Sequence, residues 1–215
     1  MRLAVALLVC CGRTSLDEPS TITKEPEPDG RSPSVEAGGV RPEASSVSRF
    51  QNGSFELGGN PCDDFNIPKG STKIPGWTVS DGNIDWLGAP VPSCGWKASE
   101  GTNSIDLVGD QMGGVGGIEQ TFATTAGTTY TVSFDLAGNY GAPPSMKPLV
   151  VTVDGVTKSY TFDTTGRGPF DMGWTTETFT FVANGASATL RFTSDISASG
   201  FMNAGAALDN VRVSP

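Results

Sequence analysis

Between positions 129 and 139 the chain alternates: Tyr130, Val132, Phe134 and Leu136 fall on one side of an extended backbone, and Thr131, Ser133 and Asp135 on the other. A period of two marks a strand with one buried and one wet face, a pattern that no helix presents. It returns at Phe179 and Phe181 and again at Leu190 and Phe192. Further strand candidates are 50–57, 76–80, 84–87, 103–108, 117–124, 148–154, 157–163, 175–183, 188–194 and 207–214. About eleven short strands separated by turn residues, with no convincing amphipathic helix among them, predict an all-β fold, a jelly-roll β-sandwich. Asp154-Gly155 and Asn184-Gly185 predict tight antiparallel hairpins, because these residues tolerate the positive φ such turns demand.

The pattern starts only at Asn52-Gly-Ser-Phe-Glu56. Positions 12–49 carry Pro, Ser, Gly and charges with almost no large apolar side chain, so burial there cannot offset the entropy of ordering the backbone. They read as a disordered linker, leaving 50–215 as a single sandwich domain. Ahead of the linker, 1–11 read as a signal peptide whose end, Leu8-Val9-Cys10-Cys11 followed by Gly12, resembles a bacterial lipoprotein box with Cys11 as the lipidated residue. The apolar run is too short to span a bilayer, so membrane contact is expected only through that lipid. A plain signal peptide is the alternative.

The chain has no histidine, which removes Ser-His-Asp and Cys-His catalysis, imidazole zinc sites and imidazole proton shuttles. Cys62 and Cys94 lack the close spacing and further ligands of a zinc site and suit a disulfide in an exported protein. Positions 50–215 hold 8 Lys and Arg against 16 Asp and Glu. A phosphate backbone would be repelled, and no basic patch interleaved with aromatics appears, so nucleic acid is not an expected partner.

Ten words in order carry a resemblance: Asn52-Gly-Ser-Phe-Glu56, Ile74-Pro-Gly-Trp77, Asn83-Ile-Asp-Trp86, Asn103-Ser-Ile-Asp-Leu107, Gln120-Thr-Phe122, Tyr130-Thr-Val-Ser-Phe134, Leu136-Ala-Gly-Asn139, Phe162-Asp-Thr-Thr-Gly166, Met172-Gly-Trp174 and Ala207-Leu-Asp-Asn-Val211. Together they resemble the bacterial choice-of-anchor C family and the related plant cell-wall family of domain of unknown function 642. The resemblance implies a galactose-binding-like jelly roll, export or surface attachment, and association with cell-wall polysaccharide. Plant members are usually tandem, whereas this chain has room for one copy.

Similarity to jelly-roll carbohydrate-binding modules also implies a structural Ca²⁺ where the first and last strands meet, with Glu56 and Asp209 at the matching positions and Asn52 and Asp106 nearby. The competing reading makes Glu56 a surface residue or a partner of Arg212. For sugar, the chemistry needs an aromatic face for the C–H side of a pyranose and polar groups for its hydroxyls. Trp86 and Trp96 beside Asp85, and Asn139-Tyr140, are the candidates. Trp86 suits site and core equally; Trp77 and Trp174 read as core. Carboxylate pairs at Asp63-Asp64, Asp81 and Asp85, and Asp106 and Asp110 are what a glycosidase would use, but so acidic a domain produces such pairs by chance. The expectation is therefore a non-catalytic, surface-tethered module binding a polysaccharide or glycan. An adhesive surface protein with a protein partner is the alternative, and the sequence leaves the oligomeric state open.

Overall fold

The computed structural model describes residues 49–215 apart from Asn60, Gln111, Met112 and Met202. The expected signal peptide, Cys11 and the linker up to position 48 lie outside the described residues. Ten strands form an all-β jelly-roll sandwich: β1 (Ile67–Pro68), β2 (Thr78–Leu87), β3 (Ser104–Asp106), β4 (Val115–Ala123), β5 (Thr129–Gly138), β6 (Met146–Val153), β7 (Val156–Asp163), β8 (Thr175–Val182), β9 (Ser187–Asp195) and β10 (Ala206–Ser214). One layer runs β7-β6-β9-β4-β2 and the other β2-β3-β10-β5-β8, every pairing antiparallel.

Strand β2 belongs to both layers. Its first half pairs with β4 from Thr78↔Glu119 to Gly82↔Gly116, and its second half pairs with β3 from Asp85↔Asp106 to Leu87↔Ser104. A register shift between Val79 and Asp81 interrupts its ladder with β4, and the change of partner falls between Gly82 and Asp85. The two candidates at 76–80 and 84–87 are therefore one strand.

The core follows from the alternation. Trp86, Ile105, Leu208 and Leu136 stand abreast on β2, β3, β10 and β5, and all four are buried. Phe134 meets Phe192 of the opposite layer edge to face at 5.2 Å, and Trp77 joins them through Phe192 at 6.2 Å. Burying each such side chain contributes about 1.5–3 kcal/mol.

Two local expectations need correction. Positions 50–57 form no strand: Asn52 and Phe55 both have positive φ (52° and 59°), and Phe55 N–H closes a turn on Asn52 O at 3.2 Å. The segment still lies against the last strand, since Val211 N–H donates to Gly53 O at 2.8 Å and a Cβ at Gly53 would collide with the Val211 carbonyl. Asp154-Gly155 does close a hairpin, with φ of 45° and 81° and Val153 opposite Val156. Asn184-Gly185 does not: it carries the chain from β8, paired to β5, across to β9 in the other layer.

Candidate functional site

The outer face of the β3-β10-β5 sheet carries acidic residues: Asp106 on β3, Asp209 on β10 and Asp135 on β5 are all buried. Asp106 is capped by Asn139 and by the Val108 and Gly205 N–H groups, whereas Asp209 and Asp135 are reached by a loop folded over the sheet. Residues 88–103, stapled by the Cys62–Cys94 disulfide, form the first cover. Ser99 N–H and Glu100 N–H donate to Asp209 Oδ2 at 2.8 and 2.9 Å, and the Ser99 hydroxyl donates to Asp135. Burial pushes Asp209 up to about 7, against the lowering effect of its Glu100, Asn210 and Ser99 N–H donors. Burial also pushes Asp135 upward, but hydrogen bonds from Ser99, Thr176 and Asn210 outweigh it and hold that carboxyl below its ordinary value.

Residues 164–174 form the second cover, tied to the first: Lys97 N–H donates to Pro169 O at 2.7 Å, and Trp174 Nε1–H to Lys97 O at 3.0 Å. Between the two loops lies a cleft of about 290 Å³ whose walls include Lys97, Ser99, Phe170, Asp171 and Trp174. Phe170 is 66% exposed, the largest fraction among the exposed large hydrophobic side chains of the described residues. Trp174 is half-buried, its indole N–H fixed, so one edge of the ring is held beside the cleft. Arg167 and Asp171 form an exposed ion pair at 3.8 Å next to it. The arrangement offers a flat apolar surface framed by a cation, a carboxylate and a hydroxyl, all on loops anchored to a rigid sheet. A second cleft, about 300 Å³, is lined by Tyr140, Gly141, Pro143, Ser145, Thr164 and Thr165. The 164–174 loop thus contributes to both.

The expected sugar-stacking tryptophans belong elsewhere. Trp86 is fully buried, with Nε1–H on Phe55 O at 3.1 Å. Trp96 is 3% exposed, with Nε1–H on Ser104 Oγ at 2.9 Å, and its ring meets Tyr140 edge-on at 6.5 Å. Neither presents a face to a ligand, because each is held inside by its indole N–H and by the sheet beneath. Asp85 accepts Asn66 N–H at 2.6 Å, and burial with the nearby charge of Asp110 pushes it up to about 6 against that hydrogen bond. Asn139 donates to Asp106 at 2.6 Å and accepts Gly141 N–H at 2.8 Å, so its amide is committed to the loop. Of the five predicted ligand residues, Tyr140 alone lines either of these clefts. Phe170 is not among the predicted ligand residues, although Gly166-Arg-Gly-Pro-Phe170 is a Gly/Pro-rich loop like the one that carries Trp96.

Glu56 and Asp209, expected to share a cation, both reach the 99–103 segment. Glu56 Oε1 accepts Thr102 N–H at 2.8 Å and Asn103 N–H at 2.7 Å, and Oε2 accepts the Thr102 hydroxyl at 2.9 Å. Asp209 takes the Ser99, Glu100 and Asn210 N–H groups. Ca²⁺ is held by six to eight oxygens turned toward it. Here the carboxylates are turned to N–H protons, so the donor set suits closure of the chain ends by hydrogen bonds rather than by a metal. Among the described residues, no three Asp, Glu, His or Cys side chains gather as a metal-holding group.

Residues 48–214 match the model of a family described as protein of unknown function DUF642. The chain belongs to the DUF642 family. Halomucin of Haloquadratum walsbyi is 32% identical over 176 residues, an overlap of 79% of this chain and 2% of halomucin, so this DUF642 chain spans a small fraction of that relative. Among solved structures, TmCBM61 in complex with β-1,4-galactotriose is similar at 18% identity and a TM-score of 0.49, over 79% of this chain and 99% of that one. The CBM22-1 xylan-binding domain of Paenibacillus barcinonensis Xyn10C is similar at 18% identity and a TM-score of 0.42, over 73% and 94% of the two chains.

Proposed function

We propose that this DUF642 domain is a non-catalytic glycan-binding module, exported and held at the cell surface, that takes its ligand in the cleft between the 88–103 and 164–174 loops. The observation that carries the reading is Phe170: a large apolar ring, 66% exposed, held beside Trp174 and flanked by Lys97 and Asp171. An aromatic left in water on an anchored loop, with donors and acceptors around it, is what the C–H face and hydroxyls of a sugar require.

The non-catalytic reading is supported by what the acidic pairs do. Asp64 is ion-paired with Lys73, and Asp81 with Arg191 and Lys69. Asp106 is spent on Val108 N–H, Gly205 N–H and Asn139. Such carboxylates have structural partners in place of a reacting bond. Export is supported by the Cys62–Cys94 disulfide, a bond that persists in oxidising compartments. Attachment through Cys11 would leave the domain at the surface on the linker; an unmodified Cys11 in the mass of the mature N-terminus overturns that anchor.

Native electrophoresis through gels containing neutral and acidic polysaccharides tests the function. Retardation by at least one polysaccharide, reduced at least about tenfold in affinity by Phe170→Ala, supports it; that factor is about 1.4 kcal/mol. No retardation by any polysaccharide points instead to a protein partner, and retardation unchanged in Phe170→Ala moves the site elsewhere.

A further inference from the structure

We infer that the link between β8 and β9 carries a site of spontaneous covalent modification: Asn184-Gly185 cyclises with loss of ammonia and reopens as aspartate or isoaspartate, while the same dipeptide at Asn52-Gly53 is protected by the fold.

The chain contains two Asn-Gly pairs. The chemistry open to each is the same. The backbone nitrogen of the glycine attacks Cγ of the asparagine, the new C–N bond closes a five-membered succinimide, and the side-chain nitrogen leaves as ammonia with the proton that the glycine nitrogen gave up. Water then opens the ring at either carbonyl, giving aspartate from one and isoaspartate from the other. Glycine favours the attack because it has no Cβ in the way and its backbone turns freely. What decides is whether the native structure lets the amide and the nitrogen meet.

At Asn184 it does. The residue is exposed, and positions 183–186 lie between the end of β8 and the start of β9, outside both ladders. Its side-chain amide makes one hydrogen bond, from Nδ2 to Asp154 O at 3.2 Å. A Cβ at Gly185 would have Ser187 O at 3.9 Å as its nearest neighbour, so the approach is open. The link is held through other atoms: Asn184 N–H donates to Asp154 Oδ2 at 2.9 Å, the Thr124 hydroxyl to Gly185 O at 2.8 Å and Thr124 N–H to Ala186 O at 3.0 Å. None of these engages the Gly185 nitrogen or the Asn184 carbonyl, the two ends of the peptide plane that must rotate.

At Asn52 it does not. That peptide plane is fixed by Asn52 O, which accepts Phe55 N–H at 3.2 Å and Trp77 Nε1–H at 2.9 Å. The amide is clamped at both ends, Oδ1 accepting Leu57 N–H at 3.0 Å and Nδ2 donating to Pro75 O at 2.8 Å. Gly53 is wedged against the last strand, with Val211 O 1.8 Å from the place of a Cβ.

Conversion at 184 has a structural consequence. The donor to Asp154 O becomes an oxygen, so an acceptor faces an acceptor, and a second carboxylate stands beside that of Asp154. The isoaspartyl form also adds a methylene to the backbone. Both loosen the link from the β6–β7 turn.

The test incubates the folded 215-residue chain at 37 °C and pH 8 and follows tryptic fragments 50–69 and 168–191 by mass spectrometry, since each holds one Asn-Gly pair. The expected result is exchange of NH for O in 168–191, with chromatographic splitting into aspartyl and isoaspartyl forms. Its rate exceeds that at Asn52 by at least about tenfold, a ratio equal to about 1.4 kcal/mol of barrier. In guanidinium chloride the two pairs convert at similar rates, because the protection at Asn52 belongs to the fold. Gly185→Ala, at a position with room for the methyl and no left-handed backbone, slows the reaction at 184 by at least about tenfold. An amide at 184 that persists in the folded chain through several weeks overturns the inference, as does conversion at Asn52 as fast as at Asn184. Conversion that Gly185→Ala leaves equally fast overturns the route through the ring.

Discussion

Replacing Glu56 by alanine tests how the two ends of the domain are joined. The carboxylate receives three hydrogen bonds from the 102–103 segment, two of them on Oε1. Hydrogen bonds to a charged group contribute about 1.5–3 kcal/mol each, and water replaces the lost partner where the donor is exposed. Thr102 is exposed and recovers much of its loss; Asn103 is buried and does not. The expected destabilisation is thus about 2–3 kcal/mol, or a fall of about 5–10 °C in melting temperature for a domain of this size. Glu56→Gln keeps Oε1 as an acceptor for both N–H groups and should cost less than half as much. Urea unfolding followed by tryptophan fluorescence reads both, because Trp86 is tied to the neighbouring Phe55 carbonyl. An alanine variant as stable as the parent refutes the closure. A glutamine variant as weak as the alanine one, with its calcium response lost, refutes the hydrogen-bond account and restores a metal between Glu56 and Asp209.

Buried carboxyls make stability depend on pH in a direction opposite to ordinary acid denaturation. Asp85 is raised to about 6 and Asp106 and Asp209 to about 7, chiefly by burial. Between pH 4 and 7 the folded state therefore holds more protons than the unfolded one, and stability falls as pH rises, by up to about 1.4 kcal/mol per unit for each carboxyl. Lys147, lowered to about 8 by burial against the nearby charge of Asp106, turns the trend upward above that pH. Melting in EDTA from pH 4 to 10 should show a minimum near 7–8, and a curve that rises steadily from 4 to 7 contradicts the assignment. Removing the Cys62–Cys94 bond, which closes a separation of 32 residues, should cost about 3–4 kcal/mol; equal urea midpoints for Cys62→Ala/Cys94→Ala and the parent would show the cover loop holding without it. Trp86→Ala should cost about 3–5 kcal/mol as a core truncation, whereas Phe170→Ala should change stability by less than about 0.5 kcal/mol, a contrast that urea titration measures directly.

The strands were legible because a half-buried strand writes its period into the side chains, as from Tyr130 to Leu136, whatever pairs beside it. The cysteine pair was legible because few other roles fit it. What escaped depends on tertiary packing. Asn-Gly chemistry is the same in a hairpin as in a crossover, so Asn184-Gly185 cannot announce that β8 and β9 lie in different layers. The strand expected at 50–57 failed because Phe55 adopts a positive φ that its side chain does not favour, held there by burial and by the turn onto Asn52. A tryptophan in a Gly/Pro-rich loop looks the same whether the loop folds inward or outward. Ser104, offering its hydroxyl beneath the loop, decides for Trp96, while Phe170 has no polar atom to anchor it inside.

The four indole N–H groups give the most direct test of the proposed site. Trp77 donates to Asn52 O, Trp86 to Phe55 O, Trp96 to Ser104 Oγ and Trp174 to Lys97 O, so each reports on a different place. In a ¹H–¹⁵N spectrum titrated with a polysaccharide-derived oligomer that retards the protein in gels, the account predicts a progressive shift of the Trp174 indole alone. Shifts at Trp86 or Trp96 with Trp174 unmoved would contradict it.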